Sequence, residues 1–279
     1  MSSPSPASSS TSSSHAPSSS APSASSRDRV VAALRSAGCV FAEDEAELIL
    51  AAARTPEELA ALVDRRVTGL PLELVLGWAE FRGLRIAVEP GVFVPRRRTE
   101  FLVAQALAHA PGAGLVVDLC CGSGAVGAAL AAGLGRPELH AADVDPSAVR
   151  CARGNLAAAG GRVHTGDLFD ALPRTLRGRV DILAANVPYV PTDEVALLPA
   201  EARDHEPLVA LDGGTDGLDV LRRVAAEAPG WLAPGGCVLV ETSERQAPAA
   251  LDAFARSGLT ARLAVSEELY AHVVIGVRR

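Results

Sequence analysis

The chain of 279 residues contains no lysine, so arginine supplies all 26 of its basic side chains. The lack of lysine excludes a Schiff base or a lysine general base. Aromatic residues make up only 4% of the chain, and no unbroken apolar run reaches the roughly 18 residues that a membrane-spanning helix needs. Because no such run is present, a membrane is not expected as a partner. The formal net charge of -7 argues against tight, non-specific nucleic-acid binding, so nucleic acid is not expected as a partner either.

Cysteine is scarce, and its positions form no pattern. The number is odd and the spacings match no zinc site, so we expect no metal and no disulfide framework, but a reduced protein with small buried thiols. The N-terminus has neither the basic nor the apolar segment of a signal peptide, and we therefore expect a cytoplasmic location. The five cysteines are Cys39, Cys120, Cys121, Cys151 and Cys237.

Composition and periodicity divide the chain into four parts. Residues 1–26 are almost entirely Ser, Pro and Ala, which predicts a disordered tail. Residues 27–77 carry apolar side chains every three or four positions, which predicts a small helical domain. In residues 78–95, apolar and polar residues alternate on either side of a turn signal at Glu89 to Gly91, and this pattern predicts a β-hairpin that links two domains.

The fourth part, residues 96–279, alternates between helical and strand patterns and ends in two successive strands. This order predicts an α/β fold with a doubly wound, Rossmann-like sheet that is mostly parallel and has a C-terminal antiparallel pair. Ligands bind such sheets at the carboxyl ends of the strands. Four polar residues follow predicted strands, and we expect them to meet in one crevice: Asp118, Asp143, Asp167 and Asn186.

A glycine-rich turn follows the first predicted strand of this part. Gly122, Gly124 and Gly127 form the pattern Gly-x-Gly-x-x-Gly, which dinucleotide-binding proteins also use, so the pattern alone does not identify the ligand. Asp118 precedes the turn, and a carboxylate there would repel a pyrophosphate but suits a positively charged ligand. S-adenosyl-L-methionine carries an ammonium and a sulfonium group and no phosphate, and it is favoured over a nicotinamide dinucleotide.

The other acidic residues suit other parts of the same cofactor. Asp143 can accept hydrogen bonds from both ribose hydroxyls, while Asp167 can accept one from the adenine amino group and Leu168 provides an apolar wall. The alternative, that the acids only cap helices, explains one such residue but not a set at successive strand ends. The candidate cofactor-binding residues are Asp118, Cys120, Cys121, Gly122, Ser123, Gly124, Asp143, Asp167, Leu168 and Asn186.

Several motifs occur in an order that is typical of one protein family. They include "FVPRRRTE", "DLCCGSGAVGAAL", "NVPYVPT", "RDHEP" and "ALDGGTDGL". From Arg27 to the C-terminus, the chain resembles the HemK/PrmC family of protein-glutamine methyltransferases. The resemblance implies a class I methyltransferase domain, S-adenosyl-L-methionine as methyl donor, and a protein substrate, the Gly-Gly-Gln loop of a peptide chain release factor. It also implies that the helical domain, residues 27–77, recognises the substrate.

The "NVPY" motif contains the candidate catalytic residues. The resemblance implies that the Asn186 side-chain oxygen and the Val187 carbonyl accept the two N–H groups of the substrate amide, while Tyr189 stacks on the amide plane. Alignment of the nitrogen with the methyl group would then drive the transfer, and no general base is required. The candidate catalytic residues are Asn186, Val187, Pro188 and Tyr189.

Three departures from the family pattern predict a divergent paralogue. Val187 stands where the family usually has proline, Arg97-Arg98 where it has Pro-Glu, and Cys120 where it has glycine. Three functions therefore stay open. They are a protein-glutamine methyltransferase, a methyltransferase of adenine or cytosine amino groups, and an S-adenosyl-L-methionine-binding protein with weakened catalysis.

Two polar segments near these motifs have more than one interpretation. His205 and Glu206 suit either acid–base catalysis or the ordering of a loop over the substrate, and the second is favoured. The run from Arg96 to Arg98 suits a solvated surface, a contact with the cofactor carboxylate or a small RNA-binding patch.

Overall fold

A computed structural model of the chain describes residues 24–279, and the tail predicted to be disordered lies outside the described residues except for its last three, which open the first helix. The N-terminal part of the described chain is helical, as expected. Its first three helices pack around a core in which Leu34 and Ile49 are fully buried. The helices are α1 (Ala24–Ser36), α2 (Ala42–Ala52), α3 (Pro56–Val67) and α4 (Leu72–Leu76).

The start of α3 follows from its local sequence. Thr55 Oγ1 accepts a hydrogen bond from the Glu58 backbone N–H at 3.1 Å, and Pro56 occupies a first-turn position where no intrahelical N–H bond is needed. The Glu58 side chain reaches back to the Arg54 N–H at 2.8 Å. These contacts fix the register of α3 and so the direction of Arg66 in its last turn.

A β-hairpin follows, but its turn is not where the sequence pattern placed it. Strands β1 (Trp78–Phe81) and β2 (Leu84–Ala87) pair antiparallel. They are joined by Arg82 and Gly83, whose φ angles of 49° and 74° are those of a two-residue turn that matches the twist of the strands. A turn does form at Glu89 to Gly91, with the Val92 N–H donating to the Glu89 carbonyl at 3.1 Å, but it lies after the hairpin, so the prediction that it joins the two strands is wrong.

The C-terminal part contains one seven-stranded sheet, with strands β3 (Leu115–Leu119), β4 (Glu138–Asp143), β5 (Arg162–Thr165), β6 (Val180–Ala185), β7 (Leu232–Thr242), β8 (Thr260–Ser266) and β9 (Ala271–Val277). Their order in the sheet is β5-β4-β3-β6-β7-β9-β8. Strands β3 to β7 are parallel where they pair, and β9 is antiparallel to both of its neighbours. The predicted α/β fold with a C-terminal antiparallel pair is confirmed.

Helices cover both faces of this sheet. One apolar cluster joins the sheet to the helices that follow β6 and β7, and a second joins it to the helices before β3 and after β3 and β4. Within residues 24–279, none of the helices combines the length and the apolar character needed to cross a membrane. The helices are α5 (Glu100–His109), α6 (Ala125–Leu134), α7 (Pro146–Leu156), α8 (Ala200–His205), α9 (Leu208–Leu211), α10 (Asp219–Glu227) and α11 (Ala247–Arg256).

The chain direction through the sheet defines where a ligand fits. From the central strand β3 the chain builds outward to β4 and β5, then returns to the other side of β3 with β6 and β7. The crevice at such a reversal lies at the carboxyl ends of the strands. The structure therefore places the ends of β3 and β6 at the centre of a cleft.

Candidate active site

A cavity of about 970 Å³ opens at the carboxyl ends of the parallel strands. Asp118, Asp143, Asp167 and Asn186 all line it, so the expectation that four strand ends meet in one crevice is confirmed. Most of the other lining is apolar, with the exceptions described below.

Asp118 is buried at the end of β3, with 1% of its surface exposed. Its Oδ2 accepts a hydrogen bond from the Gly127 N–H at 2.8 Å, in the first turn of α6. A Cβ atom at Gly127 would lie 3.1 Å from the same oxygen, which explains the glycine there. Burial raises the pKa of Asp118 to about 8, against the opposing effect of the Gly127 hydrogen bond. Asp118 therefore caps α6 and also faces the cavity.

Asp143 holds the glycine turn against the end of β4. Its Oδ2 accepts from the Gly122 N–H and its Oδ1 from the Asp145 N–H, both at 2.9 Å. Burial raises the pKa of this carboxyl. Each oxygen keeps lone-pair capacity beyond these bonds, so the predicted acceptance of two ribose hydroxyls is compatible with the geometry.

Asp167 and Leu168 follow β5 at the far side of the cavity. Asp167 Oδ2 pairs with Arg223 Nη2 at 2.7 Å, a partner that the sequence did not reveal. Leu168 is 6% exposed and has a φ of 46°, in the left-handed region. The adenine contact expected of these two residues stays a prediction, with Arg223 sharing the carboxylate.

The glycine turn divides into residues that face the cavity and one that does not. Gly122, with a φ of 52°, lines the cavity, and a Cβ atom there would have Phe93 Cβ as its nearest neighbour, 3.9 Å away. Gly124 was expected among the cofactor contacts, and that role stays a prediction. It lies outside the cavity lining, where an added Cβ would come within 3.2 Å of Ala152 and Leu156, so it is glycine because α6 packs closely on α7.

The two thiols of the glycine turn are protonated and therefore weakly nucleophilic. Cys120 and Cys121 line the cavity, and burial together with the charges of Asp118 and Asp143 raises the pKa of both thiols. Ser123 also lines the cavity and is 2% exposed. These three side chains shape the wall, which agrees with the expectation of small, unreactive groups.

Asn186 directly follows β6 and is oriented by a residue from a distant part of the sequence. Its Nδ2 lies 3.5 Å from Thr99 Oγ1, at the start of α5. Its Oδ1 is buried and has no hydrogen-bond partner in the part of the chain that the structure describes. A buried acceptor without a partner is rare in proteins, and this one lies at the cavity. It suits a donor N–H group from a ligand.

The rest of the "NVPY" segment is set by tight backbone contacts. Val187 is 1% exposed and belongs to the apolar core. An added Cβ at Gly213 would lie 2.7 Å from the Pro188 carbonyl oxygen, and one at Gly217 would lie 2.2 Å from that of Tyr189. The glycines of the "DGGTDG" segment are therefore required for the backbone of the motif to reach its position.

Tyr189 is held by an arginine and a glutamate that local sequence did not connect with it. Arg98 donates from Nη2 to the Tyr189 hydroxyl and from Nε to Glu241 Oε1 at 2.9 Å. Glu241 is 1% exposed, and its other oxygen has no partner among the described residues. Burial raises the pKa of Tyr189 to about 12, Glu241 adding to the shift and Arg98 opposing it. The phenol therefore stays protonated.

A long excursion between β6 and α10, residues 191–211, forms one wall of the cavity and is called the flap below. Hydrogen bonds of Val190 close its base, from its N–H to the Leu211 carbonyl at 3.0 Å and from the Gly213 N–H to its own carbonyl at 2.8 Å. The cavity-lining residues of the flap include Leu198, Pro199, Glu201, Ala202, Pro207 and Leu208.

Glu206 orders the flap, which supports the favoured interpretation of the "RDHEP" segment. Both of its carboxylate oxygens accept from Arg96 Nη2 at 2.7 Å, and Oε1 also accepts from the Val94 N–H at 3.3 Å. The arginine run is thus more than a solvated surface, although Arg97 is exposed, and a contact with the cofactor carboxylate is not tested by these ion pairs. Arg96 and Arg98 bind carboxylates of the chain itself. Because these carboxylates are distant in sequence, the local sequence could not predict the two ion pairs.

The glycine turn after β3, the acidic strand ends and the asparagine motif after β6 together define a class I S-adenosyl-L-methionine-dependent methyltransferase. A family model described as "Methyltransferase small domain" matches residues 83–200. A release factor glutamine methyltransferase from Geobacter sulfurreducens is 42% identical over 208 residues, which cover 73% of this chain and 72% of the relative. The chain belongs to the release factor glutamine methyltransferase family.

Another relative and two solved structures show the breadth of this resemblance. A 4-amino-L-phenylalanine/4-methylamino-L-phenylalanine methyltransferase from Streptomyces pristinaespiralis is 35% identical over 76% of this chain and 74% of its own length. A methyltransferase from Pyrococcus furiosus superposes with a TM-score of 0.54 at 17% identity, over 71% of this chain and 90% of that one. A 16S rRNA N2 G1207 methyltransferase from T. thermophilus, solved with AdoMet and guanosine, has a TM-score of 0.51 at 21% identity, over 72% and 50%.

These findings confirm three predictions made from the sequence: the family, the fold class and the cofactor, S-adenosyl-L-methionine. The individual roles of the cavity residues stay predictions. Their positions are as described above, and only Gly124 lies away from the cavity.

Proposed function

We propose that this protein transfers a methyl group from S-adenosyl-L-methionine to the side-chain amide nitrogen of the glutamine in the Gly-Gly-Gln loop of a peptide chain release factor. Its relatives are named for methylating release factor glutamine. The observation that carries the proposal is the buried Asn186 Oδ1, an acceptor that lies at the cavity without a partner in the described chain. The neighbouring Val187 carbonyl supplies a second acceptor.

The residues of the cavity fit the cofactor. Three carboxylates stand at the strand ends, and Gly122 lies at the cavity, where an added Cβ would contact only Phe93 Cβ, at 3.9 Å. Each of the arginines that line the cavity has its charge balanced by a carboxylate of the chain, which disfavours a pyrophosphate: Arg96 by Glu206, Arg98 by Glu241 and Arg223 by Asp167. When bound, S-adenosyl-L-methionine supplies an electrophilic methyl group on a positively charged sulfur.

The chain's own residues must then orient a poor nucleophile. The lone pair of an amide nitrogen is delocalised into its carbonyl group. If Asn186 Oδ1 and the Val187 carbonyl each accept one N–H, the NH2 plane is fixed and the lone pair faces the methyl group. Tyr189, held by Arg98, stacks against this plane. Holding the reacting atoms about 3 Å apart and in line provides the catalysis, and the proton leaves to water after transfer.

The helical part of the chain up to Gly77 is proposed to recognise the protein substrate, the linking hairpin to end near Pro95, and the rest to form the methyltransferase domain. The described cysteines are all free thiols, which supports a reducing compartment and the proposed cytoplasmic location. Nucleic acid is not a proposed partner, since the net charge is -7.

A second candidate is methylation of an aromatic amine. The Streptomyces pristinaespiralis relative is named for a 4-amino-L-phenylalanine substrate and is 35% identical. An arylamine, like an amide or the amino group of adenine or cytosine, presents a flat NH2 group with two hydrogens to the same pair of acceptors. The two acceptors therefore favour a substrate with a flat NH2 group but do not distinguish an amide from an arylamine or a nucleobase. An experiment must distinguish these substrates.

The test uses the purified protein, a recombinant bacterial release factor and S-adenosyl-L-methionine with a CD3 group. We expect mass spectrometry to find one CD3 group on the glutamine of the Gly-Gly-Gln loop and none on a release factor with alanine in its place. The variant Asn186→Ala should lower the rate at least about 100-fold, the scale seen when one hydrogen-bonding group of an active site is removed.

Parallel reactions contain 4-aminophenylalanine or duplex DNA instead of the release factor. Label in either of these, with none in the release factor, would contradict the proposal and identify the alternative. If calorimetry detects no binding of S-adenosyl-L-methionine, the chain is a weakened paralogue instead.

A further inference from the structure

The flap is held in place by charge rather than by an apolar core. Between Thr192 and Ala210 its one buried residue is a carboxylate, Glu206. Segments with few buried apolar contacts open at low free-energy cost, so the ion pairs on the flap decide how firmly the cavity wall is held. Three of its carboxylates each meet an arginine from a different part of the molecule: Glu194 with Arg245, Glu201 with Arg66, and Glu206 with Arg96.

Only one of these arginines belongs to the N-terminal helices. Arg66, in the last turn of α3, has a side chain that is 9% exposed. Its Nε and Nη2 donate to the two oxygens of Glu45 in α2, at 2.6 and 3.1 Å. Its Nη1 donates to Glu201 Oε1 at 2.8 Å and to the Leu70 carbonyl at 3.2 Å. The guanidinium is thus fixed by its own domain and presents one nitrogen to the flap.

The other partner of this contact is part of the cavity. Glu201 lies in α8, lines the cavity and has a side chain that is 51% exposed. The Arg66–Glu201 pair therefore joins the helical domain directly to the wall of the substrate cavity, across 135 residues of sequence.

We propose that Arg66 is a positioning residue that holds the flap closed over the substrate through Glu201, so that the helical domain helps to shape the cavity without contacting the reacting atoms. This role rests on the proposed function, because the substrate whose binding it improves is the release factor. The Arg66–Glu45 pair keeps the guanidinium in place whether or not the flap is closed.

The first test removes the charge of Glu201 while keeping its shape. We expect Glu201→Gln to raise KM for the release factor about two- to fivefold, the range for a partly exposed ion pair, with kcat and the Kd for S-adenosyl-L-methionine within about twofold of wild type. The matched control is Glu194→Gln, which removes another carboxylate from the flap. Its partner Arg245 is 66% exposed, against 9% for Arg66, so this pair is weaker and KM should stay within about twofold.

A second set of variants separates positioning from direct substrate contact. Arg66→Met with Glu45→Met replaces the ion pair inside the helical domain by apolar side chains, a change that proteins often tolerate. In this background Glu201→Gln should have no further effect on KM, because its partner is already gone. An equal rise in KM in both backgrounds would show that Glu201 contacts the substrate itself, and would overturn the role of Arg66.

Hydrogen–deuterium exchange supplies a readout that needs no substrate. In Glu201→Gln we expect amides 198–206 to exchange about two- to fivefold faster, with α5 and α6 unchanged. Unchanged exchange in the flap would refute the tether. If the wild-type protein fails to methylate a release factor but the exchange result holds, the proposed function fails while the tether stands.

Discussion

The guanidinium of Arg98 lies over the ring of Tyr189, with 5.7 Å between its central carbon and the ring centre, and donates a hydrogen bond to the phenol oxygen. Through Nε it also binds the buried Glu241. Tyr189 is thereby fixed from the ring face and from the hydroxyl. We infer that Arg98 sets the orientation of the ring that is proposed to stack on the substrate amide.

Replacing Arg98 should separate its effect on stability from its effect on the site. Arg98→Met leaves Glu241 buried without an ionic partner, and we expect a loss of about 2 kcal/mol in the free energy of unfolding, measured by urea denaturation. Arg98→Met with Glu241→Met should recover most of that stability but not kcat, because Tyr189 still lacks its donor. A double variant with wild-type kcat would show that Arg98 serves stability alone.

Asp118 should make the unliganded protein less stable as the pH rises. Its folded-state pKa is about 8 against an ordinary value of 3.8, so this contribution is complete below about pH 4 and is lost as the pH rises toward 8. The loss is about 1 kcal/mol per pH unit between pH 5 and 7. In Asp118→Asn, whose amide oxygen can still accept from Gly127, this part of the slope should disappear, as followed by urea denaturation at several pH values.

The same variant should bind the methyl donor less well. Above pH 8, where Asp118 is ionised in the free protein, loss of its negative charge beside a cationic ligand should raise the Kd measured by calorimetry about tenfold. Asp181→Asn is the control, because Asp181 accepts from the Gly114 and Leu115 N–H groups and lies outside the cavity. A wild-type donor affinity in Asp118→Asn would contradict the assignment of Asp118 to the cofactor.

The two glycines of the turn should respond differently to an added methyl group. Gly122→Ala places Cβ at the cavity with a φ of 52°, and we expect weaker donor binding together with a loss of stability of about 1 kcal/mol. Gly124→Ala combines a φ of 81° with contacts at 3.2 Å to Ala152 and Leu156, and should lose about 2 kcal/mol or more. Its donor affinity should match wild type at a temperature where it is folded, and a large loss there would restore Gly124 to the cofactor site.

The valine in place of the family's proline should be catalytically competent. The proposed acceptor at position 187 is a backbone carbonyl, which either residue provides. The Val187 N–H donates no hydrogen bond within the described residues, so Val187→Pro removes none. We expect kcat to stay equal or rise up to about threefold, since proline restricts φ. Val190→Pro is the matched control and should lower activity, because the Val190 N–H binds the Leu211 carbonyl at the base of the flap.

The positions of the cavity carboxylates could be predicted because their signals are local. An apolar run that ends in Asp118 or Asn186 marks the end of a buried strand, and parallel strands bring such ends together. The hairpin turn was misplaced for a local reason too. Pro90-Gly91 is a stronger turn signal than Arg82-Gly83, yet Arg82 and Gly83 form the turn between the paired strands.

The parts that could not be predicted depend on contacts between distant residues. Arg98 and Glu241 are 143 residues apart, and no periodic pattern connects them. The flap has short helices and almost no buried apolar residues, so it gives no amphipathic signal.

The most direct measurement is a structure of the protein with S-adenosylhomocysteine and a release factor bound. We expect the glutamine side-chain nitrogen to lie within about 3.2 Å of both Asn186 Oδ1 and the Val187 carbonyl oxygen, with its lone pair facing the cofactor sulfur. A complex in which the glutamine reaches the cavity while Asn186 Oδ1 binds another group would contradict the proposed clamp.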